Sequence, residues 1–106
     1  MSGGYVIIAR FEAKDGCEAE LRAVLLEAAA IALAEEPGCR RFEILQGVDE
    51  HGRVTPRIFM TNELFDDYAA VEAHRNSWRT PIRIDRIRAL VTARGRIEMG
   101  IVAGDA

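Results

Sequence analysis

The order of patterns along this 106-residue chain predicts an α+β domain of ferredoxin-like, split βαβ type, with helices on one face of a four-stranded antiparallel sheet. Three observations carry that expectation. A β-rich run opens the chain, a long alanine-rich amphipathic segment follows it, and two alternating runs then meet at an Asp-Glu-His-Gly turn. The length suits one domain, residues 1–106, with an ordered core of about residues 5–102.

Tyr5 to Phe11 places Tyr5, Ile7, Ala9 and Phe11 on one strand face, while Val6 and Ile8 make the start of the other face apolar as well. Lys14-Asp15-Gly16 turns the chain. Asp15 is a candidate helix cap, and Glu18 sits three residues on, where a capping box places it. Leu21, Val24, Leu25, Ala28, Ile31 and Ala32 then recur on one helical face until Glu36-Pro37-Gly38 stops the helix. Cys39 to Gln46 and Val54 to Glu63 read as a hairpin around Asp49–Gly52. Asp66-Asp67 opens a short helix through Tyr68, Val71 and His74. Thr80-Pro81 resembles a cap with proline at the first helical position, starting a helix through Ile84, Ile87, Leu90 and Val91 that Gly95 ends. Arg96 to Val102 alternates as a last strand. Helices cover one sheet face only, so a chain this short needs a cover for the other. A second copy in a homodimer is the expected one.

Apolar residues make up 49% and charged residues 29%, a normal globular balance that argues against disorder. The net charge of −3 and the lack of a basic cluster argue against nucleic acid and anionic membranes as partners. Arg75, Arg79, Arg83, Arg86 and Arg88 are interleaved with Asp85 around a helix and read as a solvated face. No apolar run approaches the roughly 18–20 residues that span a bilayer, and no signal segment opens the chain, so a cytoplasmic protein is expected. Cys17 and Cys39 form no metal or nucleophile pattern, and spacing alone leaves open whether they pair. Walker, GxGxxG, HExxH and Gly-x-Ser-x-Gly motifs are absent.

Glu36-Pro37-Gly38-Cys39, then Glu63-Leu64-Phe65 and Ala73-His74-Arg75-Asn76-Ser77, resemble the antibiotic biosynthesis monooxygenase family of dimeric α/β barrels. That family shows a helix-ending E-x-G-C signal, a Glu closing the third strand and an A-H-x-x-S/T segment eleven residues beyond it. The resemblance implies dimers with two sheets face to face and a pocket between each sheet and its helices. It also implies, for several members, oxidation of phenols, anthrones or quinols by O2 with no metal, flavin or haem. The haem-degrading branch uses a first-strand Asn and a Trp after the third strand. Here Tyr5–Phe11 holds no Asn and the aromatic is Phe65, which disfavours haem degradation. Many quinol-oxidising members carry a second His where this chain has Trp78.

Cofactor-free oxygenation asks for a base near neutral pKa and a dry pocket. His74 is the candidate base; the plainer alternative is a helix-terminal His bonded to nearby carbonyls. Glu63 is a candidate to orient His74, or else a structural tie between strand and helix. Asn62 shares a strand face with Ile58 and Met60, so it is a candidate to hold a substrate oxygen, or else a strand-end Asn bonded to backbone. Trp78, Tyr68 and Phe65 are candidates to stack on a planar substrate, although aromatics at helix–sheet junctions commonly serve as core. Arg10 reads as a strand or interface ion-pair residue and His51 as an exposed turn residue. The expected activity is thus a cofactor-independent monooxygenase acting on a small aromatic substrate with O2, with no metal site. The alternatives are a dimeric binding module lined by apolar side chains, or an isomerase of a phosphorylated metabolite, for which Arg10 and Arg75 are the available cations.

Overall fold

In a computed structural model, residues 4–102 are described. Seven elements follow in the order β1 (Tyr5–Ala13), α1 (Glu18–Glu35), β2 (Cys39–Val48), β3 (Val54–Phe65), α2 (Tyr68–Arg75), α3 (Arg79–Leu90) and β4 (Val91–Gly100). The strands form one antiparallel sheet in the order β2-β3-β1-β4. This is the expected ferredoxin-like α+β arrangement.

Strand alternation divides the sheet cleanly. Ile7, Ala9 and Phe11 of β1 and Phe59, Thr61, Glu63 and Phe65 of β3 are all buried on the helical side. They pack with Leu21, Val24, Leu25, Ala28, Ala29 and Ala32 of α1, whose small residues let the helix lie close to the strands. The opposite face carries Val6, Ile8, Met60, Leu64, Leu45, Ile97 and Met99, several of them substantially exposed.

Three helix ends differ from the sequence expectation. The residue before α1 is Cys17, which makes no side-chain cap, so the Asp15–Glu18 capping box does not form. α3 begins at Arg79, after Trp78. The Thr80 hydroxyl is drawn away from a capping role because it donates to the His74 carbonyl at 2.7 Å. α3 also stops at Leu90 rather than near Gly95, and β4 starts at once, with Val91 opposite Ala13. The β-branched pair Val91-Thr92 suits a strand, and the β1 edge supplies a ladder that outweighs continued helix. By contrast, α2 is capped as its sequence suggests, the Asp67 carboxylate accepting from Ala70 N–H at 2.9 Å.

The turn between α1 and β2 brings α1's end against α2. A Cβ added to Gly38 would stand 2.4 Å from the Ala70 Cβ, and the Gly38 carbonyl accepts from Asp66 N–H at 2.9 Å. Glycine is needed here for close approach rather than for an unusual backbone angle. Cys17 and Cys39 are both free thiols. Burial pushes the Cys39 thiol up to about 11.

Candidate active site

The close approach at Gly38 delivers Glu36 to the base of α2, where His74 is buried with 8% exposure. Its ring lies 5.3 Å from the Phe65 ring and 6.0 Å from that of Phe42, both tilted. His74 Nδ1 is 2.7 Å from Glu36 Oε1. A carboxylate oxygen only accepts, so Nδ1 carries the hydrogen and the lone pair is left on Nε2. That nitrogen faces Arg83 Nη2 at 3.4 Å and Glu63 Oε1 at 4.0 Å. Glu63 in turn accepts from the Thr61 hydroxyl at 2.6 Å.

The resulting chain Glu36–His74–Glu63–Thr61 opens on a cavity of about 570 Å³ between sheet and helices. Ile7, Phe11 and Phe42 from the sheet and Leu25, Ile84 and Ile87 from the helices make most of its wall apolar. Arg75, Arg83, Arg94 and Arg96 bring cations to it. The volume is in the range of sites for small organic ligands.

The electrostatics follow from burial. Burial lowers the His74 pKa from its usual 6.5, and Arg83 and Arg96 lower it further, against the opposing pull of Glu36. The imidazole is therefore neutral at physiological pH. Burial pushes the Glu63 carboxyl up to about 7, with Thr61, Arg83 and Arg96 holding it back from going higher. Two acid–base groups, a carboxyl raised and an imidazole lowered by the same burial, thus share one cavity wall.

Of the side chains singled out from sequence, His74 and Glu63 meet here. Phe65 supports the His74 ring from the core without lining the cavity. Asn62 points to the other side of the sheet and donates to Glu43 at 2.9 Å, because Thr61 and Glu63 hold the inward positions of β3. Sharing a face with Ile58 and Met60 therefore places it on the uncovered surface, not in the pocket. Tyr68 is half exposed beside Tyr5, with ring centroids 5.7 Å apart. Trp78 is 69% exposed, outside the cavity, with the Arg79 guanidinium 4.7 Å above its ring. Arg10 pairs with Glu12 at 3.7 Å, and His51 is exposed next to Glu50. The arginine run is not one solvated face. Arg79 and Arg86 pair with Glu35 and Glu27 outside, whereas Arg75 and Arg83 turn to the cavity. Glu36, Thr61, Arg83, Arg94 and Arg96 were not anticipated as site residues. Glu36 was visible in the helix-ending motif, but a helix stop and a histidine partner look alike in one dimension.

Among the described residues no group of three or more His, Cys, Asp and Glu side chains converges to hold a metal, and no helix is long and apolar enough to cross a membrane.

Replacing Glu63 by Gln tests the burial of its charge. The folded carboxyl holds its proton more tightly than the unfolded one. Its contribution therefore favours folding fully below about pH 4.5 and is lost as pH rises through about 7. His74 acts in the opposite sense, favouring folding above pH 6.5 and losing that as pH falls. Urea unfolding should show Glu63→Gln more stable than the parent at pH 8, by on the order of 3 kcal/mol, with most of the gain gone near pH 4.5. A difference independent of pH would contradict the assignment.

The comparisons agree with this architecture. Residues 4–80 match the family described as antibiotic biosynthesis monooxygenase. Rv0793 from Mycobacterium tuberculosis superposes with a TM-score of 0.84 at 19% identity, covering 97% of this chain and 99% of that one. PA3566 from Pseudomonas aeruginosa gives 0.79 at 27% identity, covering 97% and 98%. An antibiotic biosynthesis monooxygenase candidate from Nitrosomonas europaea gives 0.82 at 20%, covering 96% and 93%. No functionally curated protein matches the sequence. With the family match spanning β1 through the first residues of α3, and the fold shared along nearly the whole chain, this protein belongs to the antibiotic biosynthesis monooxygenase family.

Proposed function

We propose that this protein is a cofactor-independent monooxygenase that oxidises a small phenolic, quinol or anthrone-type compound with O2, using His74 as the base. The observation that carries this reading is the buried imidazole held through Nδ1 by Glu36, with Nε2 turned to an apolar cavity. Membership of the family supports a monooxygenase-like role in general.

In this reading Nε2 takes the hydroxyl proton of the substrate, and the guanidinium of Arg83, 3.4 Å from Nε2, stabilises the anion formed. The electron-rich anion passes one electron to O2. The resulting radical and superoxide combine at the ring carbon opposite the oxygen, making a C–O bond and a peroxide. The imidazolium returns its proton to the outer peroxide oxygen, and the freed imidazole then removes that carbon's remaining proton as the O–O bond breaks. The departing hydroxide takes this second proton back from the imidazolium and leaves as water. For an anthrone, one CH2 and one O2 become one carbonyl and one water; for a phenol, the ring CH opposite the hydroxyl and the hydroxyl itself become the two carbonyls of a quinone, again with one water. The aliphatic and aromatic wall keeps bulk water from the anion. Glu63 is a positioning residue that can hold the second proton of the Nε2 environment near neutral pH. Asn62 lies on the other face of the sheet, Trp78 is largely exposed and Phe65 backs the His74 ring, so these residues and Tyr68 stand outside the cavity lining and support the surrounding framework in this reading.

Oxygen uptake against a panel of hydroquinones, naphthols and anthrones, with metal-stripped protein, tests the mechanism. The expected result is turnover above the spontaneous rate, reduced by at least about 100-fold in His74→Ala. Because the folded pKa of His74 is lowered, the plateau of the pH–rate profile should extend below pH 6.5. Unchanged turnover in the variant would remove His74 from the mechanism.

The protein is further proposed to act as a homodimer through the uncovered sheet face, where Ile8, Leu45, Met60, Ile97 and Met99 form an apolar surface. Burying such a surface is favourable at about 25 cal/mol per Å². Light scattering should give the mass of two chains, and Ile8→Lys should shift it toward one. A monodisperse single chain for the parent protein would overturn the proposal.

A further inference from the structure

The cavity is cationic in an acidic protein. The whole chain carries a net charge of −3, yet four guanidinium groups line this one space. Their local carboxylates do not balance them. Glu98 is shared between Arg75 and Arg96, the latter at 2.9 Å, and also accepts from the Tyr5 hydroxyl at 2.7 Å. Glu36 is engaged by His74, and Glu63 by Thr61. Among the described residues, Arg83 and Arg94 form no ion pair with a carboxylate. Arg83 Nη2 lies 3.4 Å from the Thr80 hydroxyl and 3.4 Å from His74 Nε2.

Two of these cations come from β4 by register. Arg94 and Arg96 stand opposite Phe11 and Ala9, the inward-facing residues of β1, so both side chains leave the sheet on the cavity side. Residues two apart on a strand are about 6.5–7 Å apart. Gly95 between them also borders the cavity and presents no side chain. On the side where its neighbour bears Ile7, Ala9 and Phe11, this strand bears guanidinium groups that remain exposed at the cavity rim, where they are open to an anion. Arg83, Arg94 and Arg96 all lie beyond residues 4–80, the segment matched by the family.

We propose that the ligand of this cavity is an aromatic hydroxy acid, whose carboxylate is bound by Arg94 and Arg96 at the β4 wall while its ring hydroxyl lies at His74. The assignment rests on the reading of the cavity as a site for an aromatic hydroxyl compound and narrows its substrate class. A carboxylate matches the planar fork of a guanidinium in a bidentate way, and the apolar wall of Phe11, Phe42, Ile84 and Ile87 suits a ring system rather than a sugar phosphate.

The test is a fluorescence titration with 3-hydroxy-2-naphthoate and with its methyl ester, which keeps the ring and hydroxyl but removes the charge. The acid should bind the parent protein at least about tenfold more tightly than the ester, equivalent to about 1.4 kcal/mol, with the margin shrinking as salt rises. Both arginines are exposed on β4, so Arg94→Met/Arg96→Met should keep the parent circular dichroism spectrum and a cooperative unfolding transition, although Arg96 gives up its pair with Glu98. It should lose the preference for the acid while holding the ester as before. Equal binding of acid and ester by the parent, binding of neither, or a preference that survives in the folded double variant would overturn the proposal. Oxygen uptake separates the two levels. Preference for the acid without turnover of any hydroquinone upholds the anion site and defeats the oxygenase reading. Turnover without preference for the acid does the reverse.

Discussion

The contact between His74 and Glu36 is the point on which the rest of this structure turns. Burying an imidazole among Phe42, Phe65 and the end of α1 strips it of water, and a buried polar group without a partner costs a few kcal/mol. Glu36 removes that cost at Nδ1 and fixes the tautomer in the same stroke. To place it there, α1 must end at Glu35, the following turn must pass within contact of Ala70, and Gly38 must have no side chain. α2 must begin at its Asp67 cap so that His74 arrives one face-turn after Val71. Each of these is a local feature with a local cause, and together they aim one ring nitrogen at a cavity.

The sheet gives that cavity its chemistry through a division of labour between its two faces. On β3 the polar residues Thr61 and Glu63 point inward, while Met60 and Leu64 point outward. β4 does the same, with Arg94, Arg96 and Glu98 inward and Ile97 and Met99 outward. These polar groups interrupt a helical face otherwise made of Ile7, Ala9, Phe11, Phe59 and Phe65. Thr61, Glu63 and His74 lie buried beneath the helices, where low dielectric strengthens their charge interactions, while Arg94 and Arg96 reach the cavity from an exposed strand. Guanidinium groups in such a space lower the proton affinity of a bound hydroxyl and suit a base whose own affinity has been lowered by burial.

Element order and sheet topology were legible because hydrophobic periodicity is a local signal and β-α-β-β-α-α-β admits few foldings. The α3–β4 boundary was not. Val91 fits both the helical stripe of Ile84 and Ile87 and a strand start, and only the ladder to Ala13 decides between them. His74 and Glu63 could be singled out by residue type and motif spacing. Asn62 shows the limit of that approach, because alternation tells which residues share a face but not which face the helices cover. Glu36 and Arg83 are far apart in sequence, at 38 and nine residues from His74, and only the packing of α1 and α3 against α2 brings them to its two nitrogens. Arg94 and Arg96 looked like the ordinary polar residues of a last strand until the register with β1 turned them inward.

The central claim is that His74 is a neutral imidazole protonated at Nδ1, with Nε2 free to accept. The chain has two histidines, and His51 is exposed in a turn, so long-range ¹H–¹⁵N correlation spectra distinguish them without ambiguity. Followed through a pH titration, His74 should show the Nδ1–H tautomer at pH 7 and a midpoint below 6.5. An imidazolium at pH 7, or a neutral ring protonated at Nε2, would contradict the account, because neither form offers a lone pair to a substrate hydroxyl in the cavity.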